Sequence, residues 1–324
     1  MLQLTRRALP ALFLGAGAAS NQAWAQGLTS TVRIIVPFNP GGISDILARS
    51  LAQNMTGPLG QTVVVENRAG ANGSIGAGVA ARATPDGTTL LLGVTDTHAV
   101  NPAAMRNIPY DAVRDFQPIS LITRVPLALA VGPSQRNVAD LRAFITAARI
   151  RPEALSFSSW GIGSTSQIAM LRLGEAADFQ MLHVPFTGAA PAQQALAAGQ
   201  VDAMIMPAGA AEALSRDGNV RVLAVLSPSG LALMPNVPTL RDQGVNLTAS
   251  IIQGIFAPAR TPAPVVARLH AAMLAALQSP AMTEILRGQA AVAEGATPEA
   301  LAQLVTEEQA AWGAIIRTAN IRLD

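Results

Sequence analysis

The chain has 324 residues, of which 50% are hydrophobic, 4% are aromatic and 13% are charged. This length suits two domains with separate cores, and the composition indicates a folded globular protein. The net charge is +2, and setting aside Arg6 and Arg7 in the N-terminal segment leaves 20 arginines against 20 acidic residues. No basic tract remains to neutralise phosphates, which argues against nucleic acid as a partner.

Cysteine is absent, and His98, His183 and His270 lie far apart in the sequence. Disulfides and thiolate metal sites are therefore excluded, and no histidine has the spacing of a metal ligand. We expect the three histidines to be structural and the protein to use no metal or cofactor.

The N-terminal segment has the layout of a secretory signal peptide. Arg6 and Arg7 precede an apolar stretch at 8–19, and the small residues of Ala23-Trp24-Ala25 stand directly before Gln26. The alternative, a membrane anchor, needs an apolar run of roughly 20 residues, and this run is shorter. We therefore expect export to the periplasm with removal of residues 1–25. The paired arginines also resemble a twin-arginine signal, so the export route stays open.

Short apolar runs rich in β-branched residues alternate with helical patterns along the chain. Strands are predicted at 32–37, 62–66, 88–94, 118–131, 155–158, 181–184, 201–206, 220–226 and 251–257. Between them, helices are predicted at 44–55, 73–82, 138–148, 165–175, 189–198 and 209–216. This alternation is typical of an α/β fold in which helices cover mostly parallel sheets.

After the last strand only helical patterns follow, at 264–278, 280–289 and 298–317. These helices need an existing sheet to pack on, so the simplest arrangement returns the chain to its first domain. The prediction is a discontinuous first lobe, 26–123 and 248–324, and a second lobe, 124–247. Two crossings between the lobes make a hinge, which suggests a cleft that closes on a ligand.

The first strand leads into a loop that ends at a helix start. Its sequence is Phe38-Asn39-Pro40-Gly41-Gly42-Ile43-Ser44-Asp45. Glycines let the backbone approach a ligand, and the free N–H groups of a helix start favour an anion. The alternative is a tight turn in which Ser44 or Asp45 caps the helix. The loop lacks the lysine of a phosphate-binding loop and the glycine spacing of a dinucleotide site.

A second loop of this kind follows the strand at 155–158. It runs from Ser159 to Gln167 and gathers hydroxyls, those of Ser164 and Thr165 among them, at a helix start. The residues suit a cradle that holds a carboxylate without a cationic side chain, and they suit a serine-rich capped turn equally well. A third strand-to-helix turn lies at 185–190.

Short blocks throughout the chain resemble the tripartite tricarboxylate transporter receptors, an extracytoplasmic solute-binding family often called Bug proteins. The blocks stand in family order: Val36-Pro37-Phe38 with Gly41-Gly42 and Asp45, Val64-Val65-Glu66-Asn67-Arg68, Pro85-Asp86-Gly87, His98-Ala99-Val100-Asn101-Pro102, Pro109-Tyr110-Asp111, His183-Val184-Pro185-Phe186, Gly199-Gln200-Val201-Asp202, Pro235-Asn236-Val237-Pro238-Thr239 and Ile321-Arg322-Leu323-Asp324.

This resemblance implies a type II periplasmic-binding fold, two α/β lobes that hold a small organic carboxylate between them. It also implies delivery to a membrane transporter or sensor, and we expect a monomer. Together with the loops above, it predicts these ligand-binding residues: Phe38, Gly41, Gly42, Ser44, Asp45, Thr97, Ser159, Trp160, Gly163, Ser164, Thr165, Thr187, Gly188 and Met206.

The chain departs from the family pattern at three of its positions. Gln167 stands where the family commonly has histidine, Thr187 where it has lysine, and Met206 near where it has an acid. Loss of the acid disfavours an amino-acid ligand, whose ammonium group needs a carboxylate partner. Loss of the lysine weakens the case for a tricarboxylate. The expected ligand is a mono- or dicarboxylate with an apolar or aromatic body against Trp160 and Phe38.

A secreted enzyme acting on a small carboxylate or ester is the alternative function. No serine has the Gly-x-Ser-x-Gly context of a hydrolase nucleophile. Asp45 and Asp96 could form a pair of catalytic acids, but we interpret them as a helix cap and a residue of a solvated loop. A structural or adhesion module, the third class considered, would lack a preformed anion cleft.

The signal peptide gives a first testable prediction, which is that the mature protein begins at Gln26. Intact-mass measurement of protein recovered from the periplasm will determine its first residue. A mass that still includes Arg6 and Arg7 would show that the segment is not cleaved.

Overall fold

The computed structural model describes residues 31–150 and 152–318. The predicted signal peptide, its cleavage site before Gln26 and the terminal block Ile321-Arg322-Leu323-Asp324 lie outside these ranges. Within them the strands are β1 (Val32–Val36), β2 (Val63–Asn67), β3 (Thr89–Val94), β4 (Phe116–Val131), β5 (Ser156–Ser159), β6 (Leu182–Pro185), β7 (Ala203–Pro207), β8 (Arg221–Val225) and β9 (Ser250–Pro258).

Ten α-helices lie within the same ranges. They are α1 (Ile43–Leu59), α2 (Ser74–Ala81), α3 (Asn101–Ala104), α4 (Leu141–Ile150), α5 (Thr165–Ala177), α6 (Ala189–Ala197), α7 (Ala208–Arg216), α8 (Ala263–Leu277), α9 (Pro280–Gly288) and α10 (Pro298–Thr318). All the predicted strands and helices form, with ends that differ by a few residues. The sequence analysis missed α3 and the π-helical turn Asp96–Val100 before it.

Strand β4 belongs to two sheets. Its residues Phe116 to Pro126 pair with β9, and its residues Leu127 to Val131 pair with β7 and β8. We call β1, β2, β3, β9 and the start of β4 the first sheet, and the end of β4 with β5, β6, β7 and β8 the second sheet. The strand order along the whole path is β2-β1-β3-β9-β4-β7-β5-β6, with β8 also paired to β4.

The expectation of mostly parallel sheets is wrong for the centre of the molecule. Strands β1, β2 and β3 are parallel, as are β5, β6 and β7, but β9 runs antiparallel to β3 and β4, and β4 runs antiparallel to β7 and β8. The chain leaves the first sheet along β4 and returns along β9. Two neighbouring strands that carry the chain out and back must run in opposite directions.

Aromatic rings fill the space behind β3 and β9. The His98 ring stacks on Phe256 with centroids 3.9 Å apart, and Phe116 packs on both. Burial lowers the pKa of His98 to about 3, so this ring is neutral at physiological pH. Helix α10 packs on β4 and on the turn 96–100, while α8 packs on α1. No helix of the described ranges is long and apolar enough to cross a membrane.

Gly93 lies where this ring stack leaves no room for a side chain. A Cβ atom there would meet His98 Cε1 and would lie 2.6 Å from the Phe256 ring. We expect Gly93→Ala to lower the free energy of unfolding by about 1–3 kcal/mol, because overpacking displaces rigid buried rings. Urea unfolding followed by circular dichroism measures the change.

Gly230→Ala is the matched control, because Gly230 is exposed and a Cβ there has open space. Its effect should stay within about 0.5 kcal/mol. Equal stability of the two variants would mean that the ring stack yields easily.

Candidate ligand-binding cleft

The carboxyl ends of strands from both sheets meet at one pocket. Ligands in α/β proteins commonly bind at such strand ends. The pocket has a volume of about 550 Å³, counting the part open to solvent. We call it the inner pocket; its lining comprises Phe38, Asn39, Pro40, Gly42, Ile43, Ser44, Asp45, Val94, Asp96, Trp160, Ala189, Ala190, Pro207, Ile251 and Gln253.

Three helices begin at this pocket without a side-chain cap. The N-cap residues are Gly42 for α1, Gly188 for α6 and Pro207 for α7, and none of them supplies a capping side chain. First-turn N–H groups have no partner inside their own helix, and the helix dipole places partial positive charge there. No arginine or histidine is among the lining residues. Helix starts are therefore the positive groups that face this pocket.

Asp45 organises the loop that precedes α1. Its carboxylate accepts hydrogen bonds from Gly41 N at 3.0 Å and Asn67 Nδ2 at 3.0 Å, and it pairs with Arg49 at 2.9 Å. Asn67 Nδ2 also donates to Phe38 O. Burial raises the pKa of Asp45, but the bonds from Arg49, Gly41 and Asn67 outweigh it and hold the pKa below its usual value. Asp45 therefore remains ionised and fixes the loop in place.

Ser44 reaches the inner pocket together with a residue that the sequence analysis missed. Its hydroxyl lies 3.2 Å from both the Oε1 and the Nε2 atom of Gln253, which is fully buried on β9. A single hydroxyl cannot satisfy a whole amide group. Gln253 thus keeps hydrogen-bonding capacity next to the start of α1.

The predicted open cradle at the start of α5 is wrong, because the protein fills it with a carboxylate of its own. Ser164 caps the helix by accepting from Gln167 N. Thr165 donates its N–H to Asp96 Oδ1 at 2.8 Å and its hydroxyl to Asp96 Oδ2 at 2.9 Å. Asp96 is 1% exposed, so its assignment to a solvated loop is also wrong. These bonds join the first sheet's β3 end to the second sheet's α5.

Ser159 forms the Ser–His contact of this region. Its Oγ lies 2.7 Å from His183 Nε2 and donates to Gly161 O at 2.9 Å. Burial lowers the pKa of His183 to about 4. Ser159 Oγ also accepts from Gly161 N at 3.3 Å. These contacts hold the loop before α5 against β6.

An outer groove continues from the inner pocket past Phe38, Asn39 and Trp160, which line both. Asn39 Nδ2 donates across it to Thr187 O at 2.5 Å. A further contact across the cleft runs from Asn72 Nδ2 to Gly163 O at 3.1 Å.

Asn72 adopts φ 49°, within a run of residues, Gly70 to Gly73, that all have positive φ. Positive φ at Ala71 and Asn72, which are not glycines, costs energy. This backbone conformation persists because neighbouring contacts hold it. Those contacts include the bond from Asn72 to Gly163 O and a bond from Asn101 Nδ2 to Asn72 O.

The structure thus gathers most of the predicted site residues at the cleft, in one part or the other. Those that line it are Phe38, Gly42, Ser44, Asp45, Trp160, Thr187 and Gly188. Gly41, Ser159, Gly163, Ser164 and Thr165 lie in the loops just behind, bonded as described above.

Thr97 and Met206 lie elsewhere. The Thr97 hydroxyl is buried, where it accepts from Val94 N and donates to Val94 O. Met206 is fully buried opposite Ala128 on β4, and the next residue, Pro207, lines the pocket instead.

Asp96 and Gln253 are two polar residues of the inner pocket that were not among the predicted ligand-binding residues. A signal for Asp96 exists, because it follows β3, whose residues are all buried, at the carboxyl end where ligands bind. For Gln253, the signal is an uncharged polar residue within an otherwise apolar buried strand.

The family model described as "Tripartite tricarboxylate transporter family receptor" matches residues 47–321. The chain belongs to this family. It is 35% identical over 298 residues to BugT of Bordetella pertussis, covering 90% of each chain. Among solved structures, R. palustris Rpa4515 with adipate is similar, with a TM-score of 0.86 and 32% identity, covering 91% of this chain and 98% of that one. MatC of Rhodopseudomonas palustris with bound malate is also similar, with a TM-score of 0.83 and 34% identity, covering 88% of this chain and 98% of that one.

These relatives confirm the α/β periplasmic-binding fold and decide between the alternative functions. The family and its structural neighbours are solute-binding receptors. The protein is therefore a receptor and not a secreted enzyme.

The role of Asp45 in the receptor's first loop can be tested through pH. We expect Asp45→Asn to lower the free energy of unfolding by about 1.5–3 kcal/mol at neutral pH, because charge-assisted hydrogen bonds are lost. The folded pKa lies below the reference value of 3.8, so the ionised group stabilises the fold above that pH and loses this effect as the pH falls further. Urea unfolding at neutral pH and at about pH 3 should show the difference between variant and wild type shrinking in acid.

The control is Asp217→Asn, which removes an exposed carboxylate at the end of α7. Its effect on unfolding should be within about 0.5 kcal/mol at either pH. An Asp45→Asn penalty that persists unchanged in acid would contradict an ionic role.

Proposed function

We propose that this receptor binds a small organic carboxylate in the inner pocket, in the periplasm, and delivers it to a membrane transporter or sensor. The observation that carries the proposal is the convergence of three uncapped helix starts, those of α1, α6 and α7, on one pocket. An anion there accepts several N–H bonds and meets the positive ends of the helices.

Helix starts suit a carboxylate better than a more highly charged anion. Each contributes about 0.3–1 kcal/mol to the binding of a negative charge, and up to about 2 kcal/mol when partly buried. No lining arginine adds a full positive charge. Apolar groups, among them Val94, Ile251 and the ring of Trp160, make up much of the remaining wall. A small carboxylate with an apolar body fits both parts. Adipate and malate in the neighbouring structures are carboxylates too.

The sheet connections support opening and closing of the cleft. We propose lobes formed by 26–123 with 248–324 and by 124–247, which the chain crosses once on β4 and once on the way into β9. Strand β4 changes partners between Pro126 and Leu127, close to the proposed boundary. The cross-cleft bonds of Asn39, Asn72 and Asp96 hold the two sides together. We propose that the receptor acts as a monomer.

The proposal predicts that an acid placed at a helix start will compete with the ligand. In Ala189→Asp, a carboxylate stands at the first residue of α6, which lines the inner pocket. An acid in a first helical turn is favourable for folding, so the variant should fold. It should bind carboxylates at least about tenfold more weakly, or about 1.4 kcal/mol. A thermal-shift screen of carboxylates against wild type selects the ligand, and calorimetry compares the variants.

Gln194→Asp provides the matched control, because it adds the same charge to an exposed position on the same helix. It should bind as wild type does. Equal binding by Ala189→Asp and wild type would show that the start of α6 does not face the ligand. Stabilisation of wild type by neutral amides as much as by the matching carboxylates would overturn the proposed function.

A further inference from the structure

Asp96 brings a buried negative charge to the inner pocket. It lies two residues after the end of β3, is 1% exposed and lines the pocket. Its two carboxylate oxygens each accept a hydrogen bond from Thr165, one from the N–H and one from the hydroxyl. The Thr165 N–H can only donate, and the side chains of Asn72 and Trp160 also hydrogen-bond to Asp96. The carboxylate therefore acts as an acceptor, which is the role of its ionised form.

The groups around Asp96 leave its charge without a counter-charge. Asp45, the other acid of the pocket, is paired with Arg49 at 2.9 Å. Thr165 is neutral, and His98, two residues from Asp96, is neutral because burial lowers its pKa to about 3. Burial raises the pKa of Asp96 above its usual value, and hydrogen bonds from Thr165, Asn72 and Trp160, all neutral groups, reduce that rise.

A buried carboxylate without a cation acts strongly on any charged group that enters the pocket. Water screens little in such a place, so a second carboxylate nearby is repelled and an ammonium group is attracted more than at the surface. The start of α5, where a ligand carboxylate could otherwise bind, is already taken by Asp96.

We propose that Asp96 is a specificity-determining residue, which keeps a second ligand carboxylate out of the inner pocket and favours a protonated amine in its place. The inference rests on the proposed function, since it assumes that a first carboxylate binds at the uncapped helix starts. It separates this receptor from the neighbours solved with adipate and malate, which are dicarboxylates. The absence of an acid near Met206 led to the expectation that an amino-acid ligand is disfavoured. The proposal reverses that expectation, because Asp96, after the end of β3, supplies an acid instead.

Three ligands of equal chain length test this. Pentanoate, glutarate and 5-aminopentanoate share one carboxylate and differ at the other end, which is a methyl, a carboxylate or an ammonium group. Calorimetry on the full receptor should rank the amine first and glutarate last, with at least about a tenfold difference in Kd between those two. The corresponding sets of ligands with four and with six carbons repeat the comparison for a shorter and a longer distance between the helix starts and Asp96.

Asp96→Asn keeps the shape of the side chain and removes the charge. The tenfold preference of the amine over the dicarboxylate should then disappear. Thr165→Val is the matched control: it removes one bond to Asp96 and keeps the charge, so it should preserve the ranking even if the receptor becomes less stable.

The wild-type ranking tests the inference even if Asp96→Asn fails to fold. Tighter binding of glutarate than of the amine by wild type would overturn it, as would an unchanged ranking in folded Asp96→Asn. In both cases the binding of the monocarboxylate would still support the proposed function. If no carboxylate of any series bound, the proposed function would fail, and this inference with it.

Discussion

The shared strand β4 is the constraint on which the cleft depends. Because its 16 residues pair with β9 at one end and with β7 and β8 at the other, the two sheets cannot be placed independently. The parallel strands of each sheet then direct their carboxyl ends to the same side of this shared strand. The loops after β1, β3 and β5 and the last residue of β7 all reach the inner pocket for that reason. A binding site at the junction follows from strand direction before any side chain is considered.

Helix starts take the role that cationic side chains have in many anion sites, and this choice has consequences for packing. An uncapped helix start at a closed pocket needs a partner, because buried N–H groups without one are costly. The protein meets this need in two ways. At α5 an internal carboxylate, that of Asp96, fills the place permanently. At α1, α6 and α7 no side chain does so, and the proposed ligand completes them. Folding and binding thus use the same kind of bond.

The sequence predicts the elements well because each is a local pattern. Strand runs involve neighbours in the chain and form as expected. The Ser164 cap is also local, and it is one of the two alternatives that the sequence left open for that loop. The bond from Thr165 to Asp96 joins residues 69 positions apart, which no local pattern reveals. The orientation of Met206 could not be predicted for a different reason: every residue of β7 is buried, so no alternation marks which face meets the pocket. The antiparallel centre likewise depends on the path of the chain between sheets.

Asp96 connects these points, since it contributes both to stability and to selectivity. Its bonds with Thr165 hold the end of β3 against α5, so replacing it would cost contacts between the two sheets whether or not a ligand is bound. Asparagine could keep both contacts without a charge, by accepting from the Thr165 N–H and donating to the Thr165 hydroxyl. An ionised acid without a neighbouring cation is the more expensive choice in a buried place. A positively charged ligand group that enters the pocket would offset this desolvation cost. Asp45, the acid of the first loop, differs because Arg49 already balances its charge. One acid of the pocket is thus paired with a cation and the other is not. An unpaired acid is what a site needs in order to distinguish ligands by the charge at their far end.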